Sequence, residues 1–195
     1  MPNHCWNTLS VTGPKDDLLA FHEAINFTEG EGNGIIRAFL PFPTELEGDV
    51  ITSQDGTVIG RAFSDEGYNW CLKNWGTKWG DYDTEVLTEP HELTDGTWSV
   101  SYGYNTAWGP AVEGIVNISA MLPTLSFQNF YEEMGMGFMG VVNAERGEHV
   151  EHTKSDHELP QYPSREDYPS DEKYEEAEES YYEKMTDLRD ELLCA

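Results

Sequence analysis

The sequence predicts an α+β fold, in which a split βαβ antiparallel sheet carries helices on one face and an acidic helix follows at the C-terminus. Segments with helical spacing lie among segments that alternate apolar and polar residues. Their order is strand, helix, strand, strand, helix, strand, strand once an irregular insertion at about residues 26–80 is set aside. We therefore divide the chain into a domain at 1–150, a linker at 151–170 and a helix at 171–195.

The first strand and the first helix give clear signals in the N-terminal part of the chain. Residues 6–12 alternate apolar and polar side chains, which predicts a strand that Gly13-Pro14 ends. Apolar residues at spacings of three and four then predict a helix over 15–25, with aspartates in its first turn. A polar loop is expected at 26–33.

The insertion contains an apolar strap and a short helix. Residues 39–43, FLPFP, contain two prolines, so we expect an extended segment there rather than a helix. Residues 45–65 predict a loop or a small hairpin. Apolar residues at 68–75 share one helical side before Gly76, which predicts a short helix. The strap and this helix are candidate covers for the second face of the sheet.

The second half of the chain supplies the remaining elements of the sheet. Alternation predicts strands at 83–88 and 98–104, with an Asp95-Gly96 turn between them. A further helix and a hairpin complete the split βαβ plan. We expect the helix at 110–121 and the two strands at 125–131 and 138–143.

Charge is the most unusual property of the sequence. The 195 residues include 37 acidic and 11 basic side chains, and the net charge is −26. This charge opposes direct binding to nucleic acid phosphates and to anionic membranes. It suits a basic protein partner, mimicry of nucleic acid, or a high-salt habitat in which a solvated acidic surface keeps a protein soluble.

Cysteine usage and hydropathy favour a reducing cytoplasm. Cys5, Cys71 and Cys194 lie far apart and have neither metal-type nor disulfide-type spacing. The first residues lack the features of a signal peptide, and no stretch approaches the ~18 apolar residues of a membrane span. No catalytic signature occurs. We therefore expect a non-enzymatic protein without a cofactor, a membrane contact or a direct nucleic acid contact.

The segment 171–193 predicts an amphipathic helix that is acidic on most of its surface. Its apolar residues follow one another at steps of three and four and form a narrow seam. Such a seam packs on its own domain, on another copy of the chain in a homo-oligomer, or in the groove of a partner. The candidate partner-binding residues of the seam are Tyr174, Tyr181, Met185 and Leu188.

An aromatic segment near the middle of the chain is a candidate ligand site. Trp70, Trp75 and Trp79 are interleaved with Lys73 and Lys78. Such rings can hold a base, and either lysine can hold one phosphate. The competing interpretation is that the rings fill the core of a small sheet domain. No glycine-rich phosphate loop accompanies them.

A run of alternating carboxylates follows the aromatic segment. Asp81, Asp83 and Glu85 would share one face of a strand, where paired carboxylates can perform acid–base chemistry. No lysine or arginine occurs between Asp81 and Asp95. The alternative is a solvated edge whose charges discourage the pairing of sheets.

His149 and His152, which lie among glutamates, are the candidate metal ligands. Imidazole and carboxylate groups bind zinc or nickel. A joint site requires that this segment be a loop, because side chains three residues apart point to opposite faces of a strand. Solvated loop residues are the alternative interpretation.

Four stretches resemble the YubB ferredoxin-like family, whose members are encoded by phages and plasmids. They are MPN-x-C-x-N-x-L-x-VTG at 1–13, LPFPTEL at 40–46, NWGTKW at 74–79 and TAWGPA…LPTLSFQNFYEEMGMGFMG at 106–140. The resemblance covers about residues 1–143. It implies the βαββαβ topology, without an iron–sulfur cluster, and an origin on a mobile element expressed in a bacterial cytoplasm. It supplies no catalytic residues.

These observations favour a phage interaction protein that binds or inhibits a host cytoplasmic protein. Carboxylates on a rigid surface can occupy a site built for phosphates, so mimicry of DNA in counter-defence is the specific expectation. Three alternatives remain open. They are a nucleotide-type ligand held by the aromatic segment, a metal-dependent enzyme that uses His149 and His152, and acidity that only reflects a salty habitat.

Overall fold

The computed structural model describes residues 3–25 and 34–195, so the loop expected at 26–33 lies outside the described residues. Five helices and eight strands are formed within these ranges, together with short 3₁₀ turns. They are β1 (His4–Gly13), α1 (Lys15–Ala24), α2 (Ile35–Phe39), β2 (Glu47–Thr52), β3 (Val58–Phe63), α3 (Asp65–Trp75), β4 (Tyr82–Glu92), β5 (Trp98–Ala107), α4 (Val112–Met121), β6 (Ser126–Glu133), β7 (Phe138–Glu145), β8 (Glu148–Ser155) and α5 (Asp171–Leu193).

A six-stranded antiparallel sheet in the order β4-β5-β1-β6-β7-β8 forms the centre of the molecule. The first four strands of this order, with α1 and α4 as crossovers, reproduce the split βαβ plan. Strands β7 and β8 extend the sheet beyond β6. The expected α+β fold with an antiparallel sheet and a C-terminal helix is confirmed.

The main core lies between the sheet and the helices α1 and α4. Alternation places Leu9 and Val11 of β1 on this face, where both are fully buried. Phe21 of α1 packs edge-on against Tyr102 and Phe127, with ring centroids 6.0 and 5.7 Å apart. The helical spacing of the sequence is therefore explained by burial of one side of each crossover helix.

The strap and α3 pack on the same side of the sheet as α1 and α4. Phe39 stacks on Phe21 at 5.1 Å, and Phe42 contacts Trp75 at 5.9 Å. Both segments therefore belong to the main core. The expectation that they cover the second face is wrong, because α2 and α3 pack against α4 on the first face. Phe39 itself ends α2 rather than lying in the extended strap.

The second face of the sheet is covered in part by α5. Phe130, Met139 and Val141 are buried on this face and form a small second core with Leu192 of α5. Beyond the helix, this face is half-exposed and carries polar side chains such as Ser10 together with the half-exposed Trp6.

Two further segments differ from the sequence-based expectations. Residues 47–63 form the two-stranded sheet β2-β3, which is one of the two expected alternatives. Residues 151–155, assigned above to the linker, form the second half of β8. The chain then continues to α5 through residues 156–170, which contain a 3₁₀ turn at Arg165–Asp167. Strand β8 was missed because its exposed side chains show no apolar alternation.

Asp81 joins the insertion to the start of β4. Its carboxylate accepts backbone N–H groups from Ile35 at 2.5 Å and Ile36 at 2.9 Å, and the hydroxyl of Thr84 at 2.9 Å. These N–H groups belong to the first turn of α2, which has no partner for them within the helix. Asp81 is buried, and burial raises the pKa of its carboxyl group.

Replacing Asp81 with alanine should destabilise the protein by about 2–4 kcal/mol, because two backbone donors and one hydroxyl lose their buried acceptor. Urea unfolding would measure the change. Glu85→Ala, at an exposed position four residues later, is the control and should change the free energy of unfolding by less than about 0.5 kcal/mol. Equal effects of the two substitutions would contradict the role assigned to Asp81.

Candidate functional site

The acidic helix α5 is fixed to the sheet by its apolar seam. Leu192 is 2% exposed, and Met185 and Leu188 pack on the same small core of Phe130, Met139 and Val141. The seam residues recur every three or four positions, so they all lie on the side of the helix that faces the rest of the chain. The seam is therefore used within the molecule.

Polar contacts at the C-terminal half of α5 fix its position along the sheet. Arg189 binds Glu132 of β6 at 2.8 Å and lies over the ring of Phe130 at 5.2 Å. Lys154 of β8 binds Glu191 at 3.0 Å, and this carboxylate raises the pKa of Lys154. Arg189 and Lys154 thus each pair with a carboxylate at the contact between α5 and the sheet.

The N-terminal half of α5 is fixed by the segment that precedes it. Ser170 caps the helix by accepting the N–H of Lys173 at 3.4 Å. Arg165 donates to Asp171 at 3.0 Å and lies 5.9 Å from the ring centre of Tyr174. Tyr168 packs edge-on against the same ring at 6.0 Å. Residues 165–171 therefore fold back onto the helix that they introduce.

The outward surface of α5 carries most of its carboxylates. The helix contains ten acidic and three basic residues. Seven of the acidic side chains are exposed and lie on one side of the helix, because their positions follow the helical repeat. We call them the acidic face: Glu172, Glu175, Glu176, Glu179, Glu183, Asp187 and Asp190. Because the seam fixes the rotation of α5, the acidic face has one orientation toward solvent.

Three tyrosines beside the acidic face form a cluster that the sequence analysis missed. Tyr162 packs edge-on against Tyr181 and Tyr182, with centroids 5.0 and 6.4 Å apart. Tyr162 comes from the segment expected to be a linker, and its neighbours Pro160 and Pro163 were the available signal of a rigid path. A hydrogen bond from its hydroxyl to Glu178 raises the pKa of Tyr162 above its ordinary value.

The four seam residues proposed as partner contacts all touch their own chain. Tyr174 and Tyr181 pack against Tyr168 and Tyr162, while Met185 and Leu188 pack against the second core. Of the three interpretations of the seam, packing on its own domain is the one that the structure adopts. A partner or a second copy would have to use a different surface of α5.

The aromatic segment is part of the main core rather than an open box. Trp75 is fully buried, and its indole N–H donates to the carbonyl of Leu40 at 2.9 Å. Trp70 packs edge-on against it at 5.3 Å. Lys78 lies over the ring of Trp79 at 5.1 Å, while Lys73 is exposed on α3. Neither the face nor the polar edge of Trp75 is accessible to a ligand.

The three alternating carboxylates do not share one face. Asp81 precedes β4 and is buried, whereas Asp83 and Glu85 are exposed. The backbone at Asp83 has a φ of 51°, and the pairing of β4 with β5 shifts register between Tyr82 and Glu85. This irregularity breaks the alternation on which the expectation relied. Asp83 and Glu85 remain part of an acidic edge of the sheet.

His149 and His152 lie on opposite faces of β8. His149 pairs with Ala144 and His152 with Val141 of β7, whose side chains bury on different faces of the sheet. The candidate metal site is not formed, because the segment is a strand rather than a loop. Within residues 3–25 and 34–195, no three His, Cys, Asp or Glu side chains come together in a metal-binding arrangement.

A groove of about 810 Å³ lies on the polar part of the second face, beyond the C-terminal end of α5. Gln128 in its floor donates to Asn143 at 3.0 Å and to the carbonyl of Leu193 at 3.1 Å. Ser126 donates to Glu145 at 2.6 Å. These polar side chains are therefore already hydrogen-bonded within the chain, and the groove does not indicate a particular ligand.

The fold and the surface together define a strongly acidic protein built on a ferredoxin-like sheet, with a carboxylate-rich helix docked on one face. The chain belongs to the family described as "Ferredoxin-like domain in Api92-like protein", whose model matches residues 74–184. That description names a fold and no activity. The expected relation to an uncharacterised ferredoxin-like family is confirmed at this level.

One similar solved structure is the protein Api92 from Yersinia pseudotuberculosis. It aligns with 84% of this chain and 100% of its own chain, with 12% identity and a TM-score of 0.49. No curated protein matched the sequence. None of the helices in the described part of the chain is both long enough and apolar enough to cross a membrane.

Replacing Leu192 with alanine should destabilise the protein by about 2–3 kcal/mol, because a nearly fully buried side chain of the second core is removed. Limited proteolysis should also cut near α5 more rapidly. The neighbouring Leu193 is 37% exposed, and Leu193→Ala is the matched control with an expected change below about 0.5 kcal/mol. If the two substitutions lower the free energy of unfolding equally, the seam does not fix α5.

Sodium chloride should raise the melting temperature of the protein, because carboxylates on the acidic face repel one another across single helical turns. Raising the salt concentration from about 0.1 M to about 1 M shortens the screening length from about 10 Å to about 3 Å. A variant with Glu175→Gln, Glu179→Gln, Glu183→Gln and Asp187→Asn should show a smaller increase. Calorimetry would measure both, and an increase of equal size would contradict this explanation.

Proposed function

We propose that the chain is a non-enzymatic interaction protein of mobile-element origin, encoded by a phage, that inhibits a protein of the host cytoplasm. The acidic face of α5 binds a basic site that normally receives nucleic acid. The single observation that carries the proposal is the docking of α5. Its seam is occupied by its own sheet, so that its carboxylates form a fixed surface.

The spacing of the carboxylates supports mimicry of a phosphate chain. Residues three or four positions apart on a helix are separated by roughly 4.5–6 Å along its axis. Charges of one DNA strand are about 3.4 Å apart along the duplex axis. The acidic face thus offers a basic site a row of anions with a spacing of the same order. A fixed row loses less conformational entropy on binding than a disordered acidic tail would.

The remaining charge of the chain favours association with a basic partner. The net charge of −26 extends an attractive field around the whole molecule, which accelerates encounters with cations at low salt. Exposed carboxylates at the opposite edge of the sheet, such as Asp83 and Glu85, contribute to this field. The mobile-element origin rests on the resemblance to the YubB family over residues 1–143.

A nucleotide-type ligand in the aromatic segment receives less support. Trp75 is buried and its N–H group already has an acceptor. Binding of a base between the tryptophans would require the main core to open. A metal-dependent reaction at His149 and His152 has no joint site, because β8 separates the two imidazoles. The interaction protein is therefore the function that the arrangement of side chains supports best.

Affinity capture from a bacterial lysate, followed by competition, would test the proposal. The intact chain should retain a basic protein that duplex DNA displaces, and its binding constant should fall steeply with salt. The variant Glu175→Gln/Glu179→Gln/Glu183→Gln/Asp187→Asn should lose this protein. A control variant removes four charges from the β4 edge and should keep it; its substitutions are Asp83→Asn, Glu85→Gln, Glu89→Gln and Glu92→Gln.

Two results would refute the proposal. In one, the two four-charge variants lose the partner equally, so that only the total charge matters. In the other, the partner stays bound in excess duplex DNA, so that the acidic face does not occupy its nucleic acid site. Circular dichroism of each variant would verify that α5 is still folded.

A further inference from the structure

The tyrosine cluster of Tyr162, Tyr181 and Tyr182 presents two exposed aromatic rings beside the acidic face. Tyr162 is 51% exposed and Tyr182 is 57% exposed. Each ring has both an apolar face and a polar hydroxyl, a combination that is enriched at protein interfaces.

The rings are held in place before any partner arrives. The hydroxyl of Tyr162 donates to Glu178, which also accepts from the hydroxyl of Tyr174 at 2.9 Å. Each of the three rings contacts the other two, because the centroid of Tyr181 lies 5.0 Å from that of Tyr162 and 5.3 Å from that of Tyr182, and the last two lie 6.4 Å apart. The cluster is therefore preorganised, which reduces the entropy lost on binding.

Carboxylates lie near Tyr182 along the helix. Glu178 and Glu179 precede Tyr182 by four and three residues, so they lie one helical turn from it on the same side of α5. Glu175 lies a further turn away in the same direction. A cation above the ring of Tyr182 would thus be within reach of more than one carboxylate.

Two arginines in the described part of the chain already form this arrangement. Arg165 lies 5.9 Å from the ring centre of Tyr174 and donates to Asp171 at 3.0 Å. Arg189 lies 5.2 Å from the ring centre of Phe130 and binds Glu132 at 2.8 Å. In both, a guanidinium group lies over an aromatic ring and also binds a carboxylate. Tyr162 and Tyr182, with the neighbouring glutamates, offer the same pair of groups on exposed side chains.

We propose that Tyr162 and Tyr182, with Glu178 and Glu179, form a docking surface for an arginine-bearing segment of a protein partner. This inference rests on the proposed function, which requires a basic partner, and adds that arginine is preferred to lysine. The planar guanidinium stacks on aromatic rings and pairs with carboxylates in a fixed geometry, whereas the lysine ammonium is a compact, strongly hydrated charge.

Fluorescence anisotropy with labelled octa-arginine and octa-lysine peptides would test the preference on the full chain. Both peptides carry the same charge, so attraction to the acidic face contributes similarly to both. Octa-arginine should bind more tightly, by roughly two- to five-fold for each ring engaged. In the variant Tyr162→Ala/Tyr182→Ala, octa-arginine should bind more weakly, and its advantage over octa-lysine should fall by roughly two- to five-fold for each ring removed.

Two control variants separate the ring faces from other effects. Tyr162→Phe/Tyr182→Phe keeps both rings and should keep the preference for octa-arginine. Tyr68 is 41% exposed on α3, away from this cluster, so Tyr68→Ala should leave both affinities unchanged. Loss of the preference in the phenylalanine variant would assign it to the hydroxyl groups and would overturn the role of the ring faces.

The failure of this inference is distinguishable from the failure of the proposed function. Equal binding of the two peptides by the unmodified chain would overturn the docking surface and leave an acidic face that binds any cation. Absence of binding by both peptides at low salt would overturn the docking surface and the proposed function together. If the alanine variant lost more affinity for octa-lysine than for octa-arginine, this result would also contradict a specific role in arginine recognition.

Discussion

The structure depends on covering the second face of its sheet. The helices α1 and α4 bury one face, as the βαββαβ topology requires. Strands β6 and β7 also direct Phe130, Met139 and Val141 to the other face, where they would meet water without a cover. Apolar area of this kind is costly in water, at roughly 25 cal/mol for each Å². The seam of α5 removes it from solvent. Docking of the C-terminal helix is therefore a folding requirement of the extended sheet.

This requirement determines which side of α5 a partner can meet. If the seam were free, its tyrosines and leucines would be the natural contact, and the sequence alone leaves that role open beside packing on its own domain or on a second copy. Once Leu192 is buried, the rotation of the helix is fixed and the carboxylates turn outward. The arginine and lysine residues that bind Glu132 and Glu191 reinforce this orientation. The function proposed for the acidic face thus follows from the packing of the opposite side.

Local periodicity allowed most elements of the fold to be predicted, whereas contacts between distant segments were beyond reach. Strand β1 and helix α5 carry clear periods of two and 3.6 residues, and both are confirmed. Strand β8 was missed because an exposed edge strand has no apolar face to reveal it. The role of Asp81 was missed because its partners, Ile35 and Ile36, lie about 45 residues away in the sequence. For the candidate site, the acidic helix was predictable, but the tyrosine cluster was not.

The tyrosine cluster illustrates why charge alone is a weak predictor of specificity. An acidic helix attracts all cations, and its contribution falls with salt as the screening length shortens. Specificity requires groups whose interaction differs between partners of equal charge. In the docking surface that we propose, Tyr162 and Tyr182 supply such groups, because the short-range attraction between a guanidinium and a ring persists when long-range attraction is screened. The proposed interaction would therefore combine a long-range attraction that gathers basic partners with a short-range surface that distinguishes among them.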